Sequence, residues 1–209
     1  PEESKEILIA KVQLAEDGTI TSDANFKFTG GQYDTTLGLF SLKNDEVQEA
    51  LKNRHYNLQL DKIVINNLLN DRDDVKISYD LNLKAKSFSK KLGNDLFFPV
   101  MPFYSAVSFT TNTERQLPFE TAFPFQDDYE IEFSAPMGYQ FSDLPDASEF
   151  TSEFGSYSLH YKMNGEKLIV RRILTIKKGL YPKEKFKDYV DFRKKTASKD
   201  NTKILISKI

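Results

Sequence analysis

The sequence predicts a mainly β protein, an antiparallel β-sandwich-like structure with two or three short helices, one of them near the C-terminus. Three observations predict this class. Apolar and polar residues alternate with a period of two in several stretches, and turn-forming Gly, Pro, Asn and Asp separate those stretches. Seventeen Phe and ten Tyr supply the large apolar side chains that favour strands. A sandwich lets such strands bury their apolar faces against each other.

The proline-rich segment 115–145 is the centre of the predicted structure. A proline lacks the N–H that a β-ladder needs, so four prolines confine strands to the intervals between them. Between two of these prolines, residues 129–134 (YEIEFS) alternate between apolar and polar side chains, as a half-buried strand does. The prolines are Pro118, Pro124, Pro136 and Pro145.

The N-terminal region begins with a predicted β-hairpin over residues 6–29, which turns at Asp17-Gly18. Residues 33–40 lack clean alternation and predict a short helix or a loop. A capping-box pattern that starts at Asp45 predicts a helix of about three turns.

Two further strands are predicted around the polar break at residues 70–74. The first covers residues 57–69, and its alternation slips at Lys62, which indicates a β-bulge. The second covers residues 75–86 and alternates cleanly, so one side is expected to face the core. The residues expected on that side are Val75, Ile77, Tyr79, Leu81, Leu83 and Ala85.

The domain organisation follows from length and from one polar run. At 209 residues the chain fits one large β domain or two small ones, because single cores usually divide beyond roughly 250 residues. The run 90–95 contains Gly93 and is the expected boundary. It separates an N-terminal β-rich part with a short helix, residues 1–92, from a C-terminal β-sandwich-like part, residues 93–209.

The C-terminal part is expected to begin with strands 96–100 and 104–110, at sheet edges because prolines flank them. A hairpin follows, with strands 157–163 and 168–176 joined by Asn164-Gly165, the favoured dipeptide of a type I′ turn.

A helix over residues 182–198 is expected to begin at Pro182. Phe186 and Tyr189 are expected to fasten it to the sheet. Residues 204–206 are expected to close the chain as a strand of that same sheet.

Composition argues against several classes of function. Twenty-nine basic and 31 acidic residues give a net charge of -2, which would not attract nucleic acid or an anionic membrane. No apolar run approaches the roughly 18 residues of a membrane span. The chain has no Cys, so it contains no thiolate nucleophile and no thiolate metal ligand. Because it opens with Pro1, we expect a fragment or a processed product.

The succession of turns and strand ends in the C-terminal half resembles a known pattern. It runs through Arg115 to Pro118, Ala135-Pro136-Met137-Gly138-Tyr139, Leu144-Pro145, Asn164-Gly165, Tyr181-Pro182 to Phe192, and Ile204 to Lys208. It is similar to the C-terminal β-rich domain of unknown function that follows the core in bacterial transglutaminase-like proteins. The resemblance covers about residues 93–209, and residues 1–92 look like the region that connects this domain to the core.

The resemblance implies an exported protein, periplasmic or on the cell surface of a Gram-negative bacterium. It brings no site residues with it. The family core uses a Cys-His-Asp arrangement, and this chain has no Cys. The implied partner is therefore the transglutaminase-like core of the same polypeptide.

Possible catalytic residues are few, and each has a simpler structural interpretation. A triad needs a nucleophile beside a base, yet no Ser-centred motif accompanies His55 or His160. Paired acids could serve glycoside hydrolysis, but neighbouring acids in a polar turn are usually only solvated. The candidate acids are Asp127-Asp128, Asp73-Asp74, and Glu130 with Glu132.

Two possible binding features remain. Residues 70–74 offer oxygen ligands for calcium, but they lack the Gly and distal Glu of a calcium loop, and Arg72 opposes a cation. A group of aromatic residues could bind sugar or peptide, although at strand spacing such residues usually form a core. These are Phe97, Phe98, Phe103, Tyr104, Phe109, Phe119, Phe123 and Phe125.

The sequence therefore predicts no catalytic, cofactor-binding or metal-binding residue and no cofactor. The leading hypothesis is a non-catalytic structural and interaction module beside a transglutaminase-like core. A β-sandwich that binds carbohydrate or peptide is the alternative, and a carboxylate-based hydrolase is the third. The expected partners are protein or glycan, without nucleic acid and without a membrane span.

Overall fold

The computed structural model describes residues 4–55, 57–103 and 115–209. The helices in these residues are α1 (Gly31–Leu37), α2 (Asn44–Arg54) and α3 (Phe186–Asp200), with short 3₁₀ turns at Gly38–Ser41 and Lys183–Lys185. The strands are β1 (Lys5–Leu14), β2 (Ile20–Thr29), β3 (Gln59–Asp71), β4 (Lys76–Lys86), β5 (Lys90–Leu92), β6 (Asp95–Pro99), β7 (Phe119–Thr121), β8 (Phe125–Ser134), β9 (Tyr139–Phe141), β10 (Ser148–Ser152), β11 (Gly155–Asn164), β12 (Lys167–Ile176), β13 (Gly179–Tyr181) and β14 (Lys203–Lys208).

The largest sheet has eight strands in the order β10-β11-β12-β8-β1-β2-β4-β3. Its neighbouring strands are antiparallel except β1 and β8, which pair in parallel from Lys5↔Gln126 to Gln13↔Ser134. The mainly β class with a helix near the C-terminus is confirmed, and the sheet is mixed. Parallel neighbours need a long connection between them. Here about 110 residues connect the end of β1 to the start of β8.

One face of this sheet is buried and the other is polar. Alternate residues of the central strands, such as Leu8, Phe26 and Ile131, lie on the buried face. The four-stranded sheet β5-β6-β14-β9 packs there, with the rings of Phe98 and Phe133 4.9 Å apart between centroids. This contact of two sheets gives the fold its sandwich-like centre.

Helices cover the buried face on both sides of that contact. On the β2 side, Leu51 of α2 is buried, and the ring of His55 lies 5.8 Å from that of Phe26. On the β10 side, Phe192 of α3 packs edge-on against Phe150, with ring centroids 5.7 Å apart. No helix in the described residues is both long enough and apolar enough to span a membrane.

The predicted elements of the N-terminal region are found with small shifts. The hairpin, the short helix expected within residues 33–40, the three-turn helix and the bulge at residues 60–62 are confirmed. The helix cap is different: the backbone N–H of Lys43 donates to Glu46 Oε2 at 2.8 Å, so the helix begins one residue before Asp45. The inward position expected for Val75 is wrong, because this residue lies in the β3–β4 turn with φ 47° and is exposed.

The expected boundary at Gly93 lies in a hairpin turn. Gly93 has φ 64° between β5 and β6, which pair up to Leu92↔Asp95. Strands from both sides of Gly93 share the eight-stranded sheet. The division of the chain into two domains stays a prediction.

The edge position predicted for strand 96–100 is wrong, since β6 is flanked by β5 and β14. Pro99 is tolerated because it is the last residue of the strand, where a missing N–H interrupts little of the ladder. The second predicted strand, 104–110, lies outside the described residues.

The hairpin of β11 and β12 is confirmed, with a different turn. Asn164 pairs with Lys167, so Gly165 and Glu166 occupy the turn, and only Gly165 of the two has a positive φ, 62°. Because a type I′ turn needs a positive φ at both central residues, this is a type II′ pattern.

The C-terminal helix and strand are also confirmed. The prediction that the strand belongs to the sheet on which the helix packs is wrong. Helix α3 docks on the eight-stranded sheet, whereas β14 pairs with β6 and β9 in the four-stranded sheet. Phe186 and Tyr189 are only partly buried, and Val190 and Phe192 are the apolar side chains that α3 buries most deeply.

Candidate functional site

The predicted acids of β8 separate onto the two faces of the sheet. On the polar face, Glu132 accepts from Lys167 Nζ at 2.7 Å, and Glu130 accepts from Arg171 Nη1 at 3.1 Å. Asp128 also accepts from Arg171, at 3.0 Å. The carboxylates of β8 on this face are therefore paired across the sheet with basic residues of β12.

Asp127 is on the buried face, so its assignment to a solvated polar turn is wrong. It occupies the same alternating positions of β8 as Tyr129, which places it inside. Its Oδ2 lies 3.3 Å from Nη1 of Arg172, a side chain with 0% exposure. Burial raises the pKa of Asp127 to about 6, against the opposite effect of Arg172.

Arg172 connects β12 to the end of α3. Its Nε donates to Asp200 Oδ1 at 2.7 Å, and its Nη2 donates to Asp200 Oδ2 at 3.0 Å. The hydroxyl of Tyr157 donates to the same carboxylate at 2.7 Å. Two parallel hydrogen bonds between a guanidinium and a carboxylate fix the mutual orientation of both groups. The described contacts of these buried charges therefore hold the helix on the sheet.

A second buried acid connects α2 to the sheet. Glu6 of β1 accepts from Arg54 Nη2 at 2.8 Å and from the hydroxyl of Tyr129 at 3.0 Å. Sequence reasoning missed Glu6, Arg172 and Asp200. A signal was present for Arg172, because it follows Leu168 and Val170 at the inward positions of β12, where a charge needs a buried partner.

The two histidines lie far apart in the fold and in different surroundings. His55 is buried at the end of α2 between the rings of Phe26 and Phe103. Burial lowers its pKa to about 4, and the charge of Arg54 acts in the same direction. His160 is exposed on β11, where Nε2 is 2.8 Å from Glu149 Oε1. The structure does not bring the two rings together.

The acidic stretch 70–74 covers the last two residues of β3 and the first three residues of the turn to β4. The N–H of Asp74 donates to Asp71 Oδ1 at 3.2 Å, and Lys76 Nζ lies 3.4 Å from Asp71 and 3.3 Å from Asp74. The side chain of Asn70 accepts from the hydroxyl of Tyr33 instead. Within the described ranges, no three His, Cys, Asp or Glu side chains are grouped so that they could hold a metal ion.

Three members of the predicted aromatic group lie inside the protein. Phe98, Phe103 and Phe119 are buried, and Phe97 and Phe125 are half-buried. Tyr104 and Phe109 lie outside the described residues. Phe123 differs from the other described members of the group, because 82% of it is exposed.

Phe123 belongs to a group of exposed apolar side chains around the small β13-β7 sheet. Leu117 and Phe123 lie two residues before and after β7, and Leu180 is in β13 opposite Glu120. Leu117 and Leu180 are 72% and 76% exposed. We call these three residues the β7–β13 patch. Where exposed apolar side chains adjoin one another, they often mark an interaction surface.

The sheet beneath the patch is firmly packed. The ring of Phe119 lies 5.2 Å from that of Tyr181 and 5.3 Å from that of Phe186. The guanidinium of Arg115 lies over the Phe186 ring at 4.9 Å. The patch is thus presented on a supported element, which lowers the entropy cost of a contact made there.

Part of the chain matches a protein-family model. The family described as Domain of Unknown Function with solved-structure structure (DUF3858) matches residues 94–206, more than half of the chain. Comparisons with curated proteins and with solved structures gave no match. The matched residues include β8, the β11–β12 hairpin and the whole of α3, which carry Arg172 and Asp200. The chain belongs to the DUF3858 family of domains of unknown function.

Proposed function

We propose that this chain is a non-catalytic structural and interaction module that packs against, and positions, a transglutaminase-like core of the same polypeptide. The resemblance of residues 93–209 to the domain that follows such a core supports this arrangement. Its further implication is an exported protein of a Gram-negative bacterium, in the periplasm or on the cell surface.

The observation that carries the proposal is the β7–β13 patch. Its three side chains, Leu117, Phe123 and Leu180, are each more than 70% exposed although they are large and apolar. Contacts between domains of one chain usually centre on such residues, with polar groups around them. Glu120 and Arg115 lie next to the patch and provide the polar surroundings.

The chemistry of the chain supports a non-catalytic role. Without Cys it has no thiol that could form the acyl-enzyme intermediate of a transglutaminase. The buried acids Glu6, Asp127 and Asp200 bind arginines of the fold. Glu130 and Glu132, the acids considered for hydrolysis, are paired with Arg171 and Lys167.

A binding measurement tests the proposed contact. The core is identified in the gene's reading frame by its Cys, His and Asp, purified separately, and titrated with this chain in a calorimeter. We expect association, and we expect Phe123→Ser combined with Leu180→Ser to weaken it at least about tenfold, since central aromatic contacts dominate interfaces.

The matched control is Met137→Ser. Met137 is 99% exposed in the turn between β8 and β9, away from the patch, and its replacement should leave the affinity within about twofold. A reading frame without such a core would overturn the proposal, and so would an absence of association. Turnover of a glutamine amide by the pure chain would contradict its non-catalytic part.

A further inference from the structure

Asn and Asp side chains form an ordered group on the polar face of the eight-stranded sheet. They come from β2, β4 and β3, which lie side by side at one end of the sheet. We call the group the Asn/Asp array. Its members are Asp23, Asn25, Asn66, Asn67, Asp80 and Asn82.

Two hydrogen-bonded rows make up the array. In the first row, Asp80 Oδ1 accepts from Asn25 Nδ2 at 2.8 Å and Asp80 Oδ2 accepts from Asn67 Nδ2 at 2.6 Å. These two amides, Asn25 first, hold the pKa of Asp80 below its usual value. The carboxylate therefore stays charged and fixed in direction.

The second row lies two residues further along the strands. Asn66 Nδ2 donates to Asn82 Oδ1 at 2.7 Å, and Asn82 Nδ2 donates to Asp23 Oδ1 at 2.5 Å. Side chains two residues apart on one strand are about 6.6 Å apart. The rows thus present polar groups at a regular spacing, with rotamers that are already set.

A β-bulge in β3 makes the first row possible. Successive side chains of a strand point to opposite faces, yet Asn66 and Asn67 both reach partners on the polar face. The pairing register shifts between Asn66 and Leu69, and Asn67 has φ 51°. Bulges that redirect a side chain are frequent beside functional sites.

The array borders an open depression of about 670 Å³. This volume lies within the usual range for ligand sites, roughly 300 to 1,000 Å³. Ile9 and Lys11 of β1 line the depression on the side towards the centre of the sheet, and Ile9 is 55% exposed. The exposed apolar side chain of Ile9 thus lies next to two rows of polar ones.

The free hydrogen-bonding groups of the array match hydroxyl groups. Each amide has two N–H donors, and only one donor of each takes part in the rows, so among the described residues every Asn of the array keeps one donor. The carboxylates and the amide oxygens keep acceptor positions. A sugar hydroxyl both donates and accepts, and the C–H face of a sugar ring can pack on Ile9.

Other ligands fit this chemistry less well. The charges of Asp23 and Asp80 repel phosphate and other anions. A metal ion would compete with amide N–H groups that already point at both oxygens of Asp80. We propose that the Asn/Asp array and Ile9 form a binding site for a neutral oligosaccharide, which goes beyond the module function proposed above.

The test is calorimetric titration of the whole chain with neutral hexasaccharides: cellohexaose, maltohexaose, xylohexaose and chitohexaose. We expect at least one to bind with a Kd of roughly 1 mM or tighter. Asp80→Asn keeps the shape of the side chain and removes its charge. It should weaken binding at least about tenfold, because charge-assisted hydrogen bonds are the stronger ones.

Asn67→Gly is the second variant, because glycine adopts the positive φ of this position without strain and the bulge is preserved. It should weaken binding by a similar factor. Lys162→Ala, on β11 of the same sheet and five strands away from β4, is the control and should change the affinity less than about twofold. Melting temperatures confirm that each variant is folded. If no hexasaccharide binds, or if binding survives unchanged in Asp80→Asn and Asn67→Gly, the proposal is overturned.

Discussion

Arg172 and Asp200 form a two-point ion pair inside the protein, with Nε–Oδ1 and Nη2–Oδ2 distances of 2.7 and 3.0 Å. Arg172 is in the middle of β12, and Asp200 is the last residue of α3. Both side chains are almost completely buried. The pair fixes the point at which the C-terminal helix ends over the sheet.

Removing one partner of this pair should destabilise the protein strongly. Asp200→Asn leaves the buried guanidinium with less compensating charge, which typically costs about 3 to 5 kcal/mol of unfolding free energy. The total unfolding free energy of a domain is only roughly 5 to 15 kcal/mol. Urea unfolding measures the change.

The control for Asp200→Asn is Asp191→Asn on the same helix. Asp191 forms an exposed pair with Lys187, and such pairs contribute less than about 1 kcal/mol. Equal stabilities of Asp200→Asn and Asp191→Asn would show that the buried pair does not hold the helix.

A second prediction concerns the apolar contacts of α3. Phe192 is 6% exposed, whereas Phe186 is only partly buried. Phe192→Ala should therefore cost about 3 to 5 kcal/mol, and Phe186→Ala should cost less. Lys187→Ala is an exposed control, with a change within about 0.5 kcal/mol. A larger loss from Phe186→Ala than from Phe192→Ala in thermal melts would contradict this packing.

His55 should make the protein less stable in mild acid. Its pKa is about 4 when folded and about 6.5 when unfolded, so the unfolded chain takes up the proton first. The contribution of neutral His55 to the free energy of unfolding is complete above pH 6.5 and is lost as the pH falls towards 4. Between pH 6.5 and 5 the loss is about 2 kcal/mol.

His55→Phe removes this titration and keeps a ring between Phe26 and Phe103. Its urea-unfolding free energy should fall by about 2 kcal/mol less than that of the parent between pH 6.5 and 5. His160→Gln replaces an exposed histidine and serves as the control. The same pH dependence in His55→Phe and in the parent would refute the assignment.

The shared sheet predicts that both halves of the chain unfold together. The parallel pairing of β1 with β8 joins residues before and after Gly93 over nine residue pairs. Hydrogen exchange of slow amides in β4 and β12 should therefore report the same opening free energy. Different free energies, together with proteolytic cleavage near Gly93, would instead support separate domains at residues 1–92 and 93–209.

Local features of the fold could be predicted from the sequence. Alternation and turn residues are properties of short stretches, so the hairpins at residues 6–29 and 157–176, helix α2 and the bulge near Lys62 followed from them. Long-range pairing was not predictable in this way. The sequence does not show that β1 pairs with β8, or that β14 belongs to the smaller sheet.

The same distinction applies to the candidate sites. Asp127 was misassigned because two adjacent acids suggested a turn, although its position two residues before Tyr129 placed it inside. Arg172 could have been identified from its inward position, but its partner Asp200 could not, since that contact depends on where α3 lies. The β7–β13 patch and the Asn/Asp array depend on which strands are neighbours.

We propose that a transglutaminase-like core covers the β7–β13 patch in the complete polypeptide. Hydroxyl-radical footprinting with mass spectrometry measures the solvent accessibility of individual side chains. It is applied to the isolated chain and to the complete polypeptide. We expect oxidation of Leu117, Phe123 and Leu180 to fall several-fold in the complete polypeptide, while oxidation of the exposed Met137 stays the same. Equal oxidation of the three patch residues in both samples would contradict it.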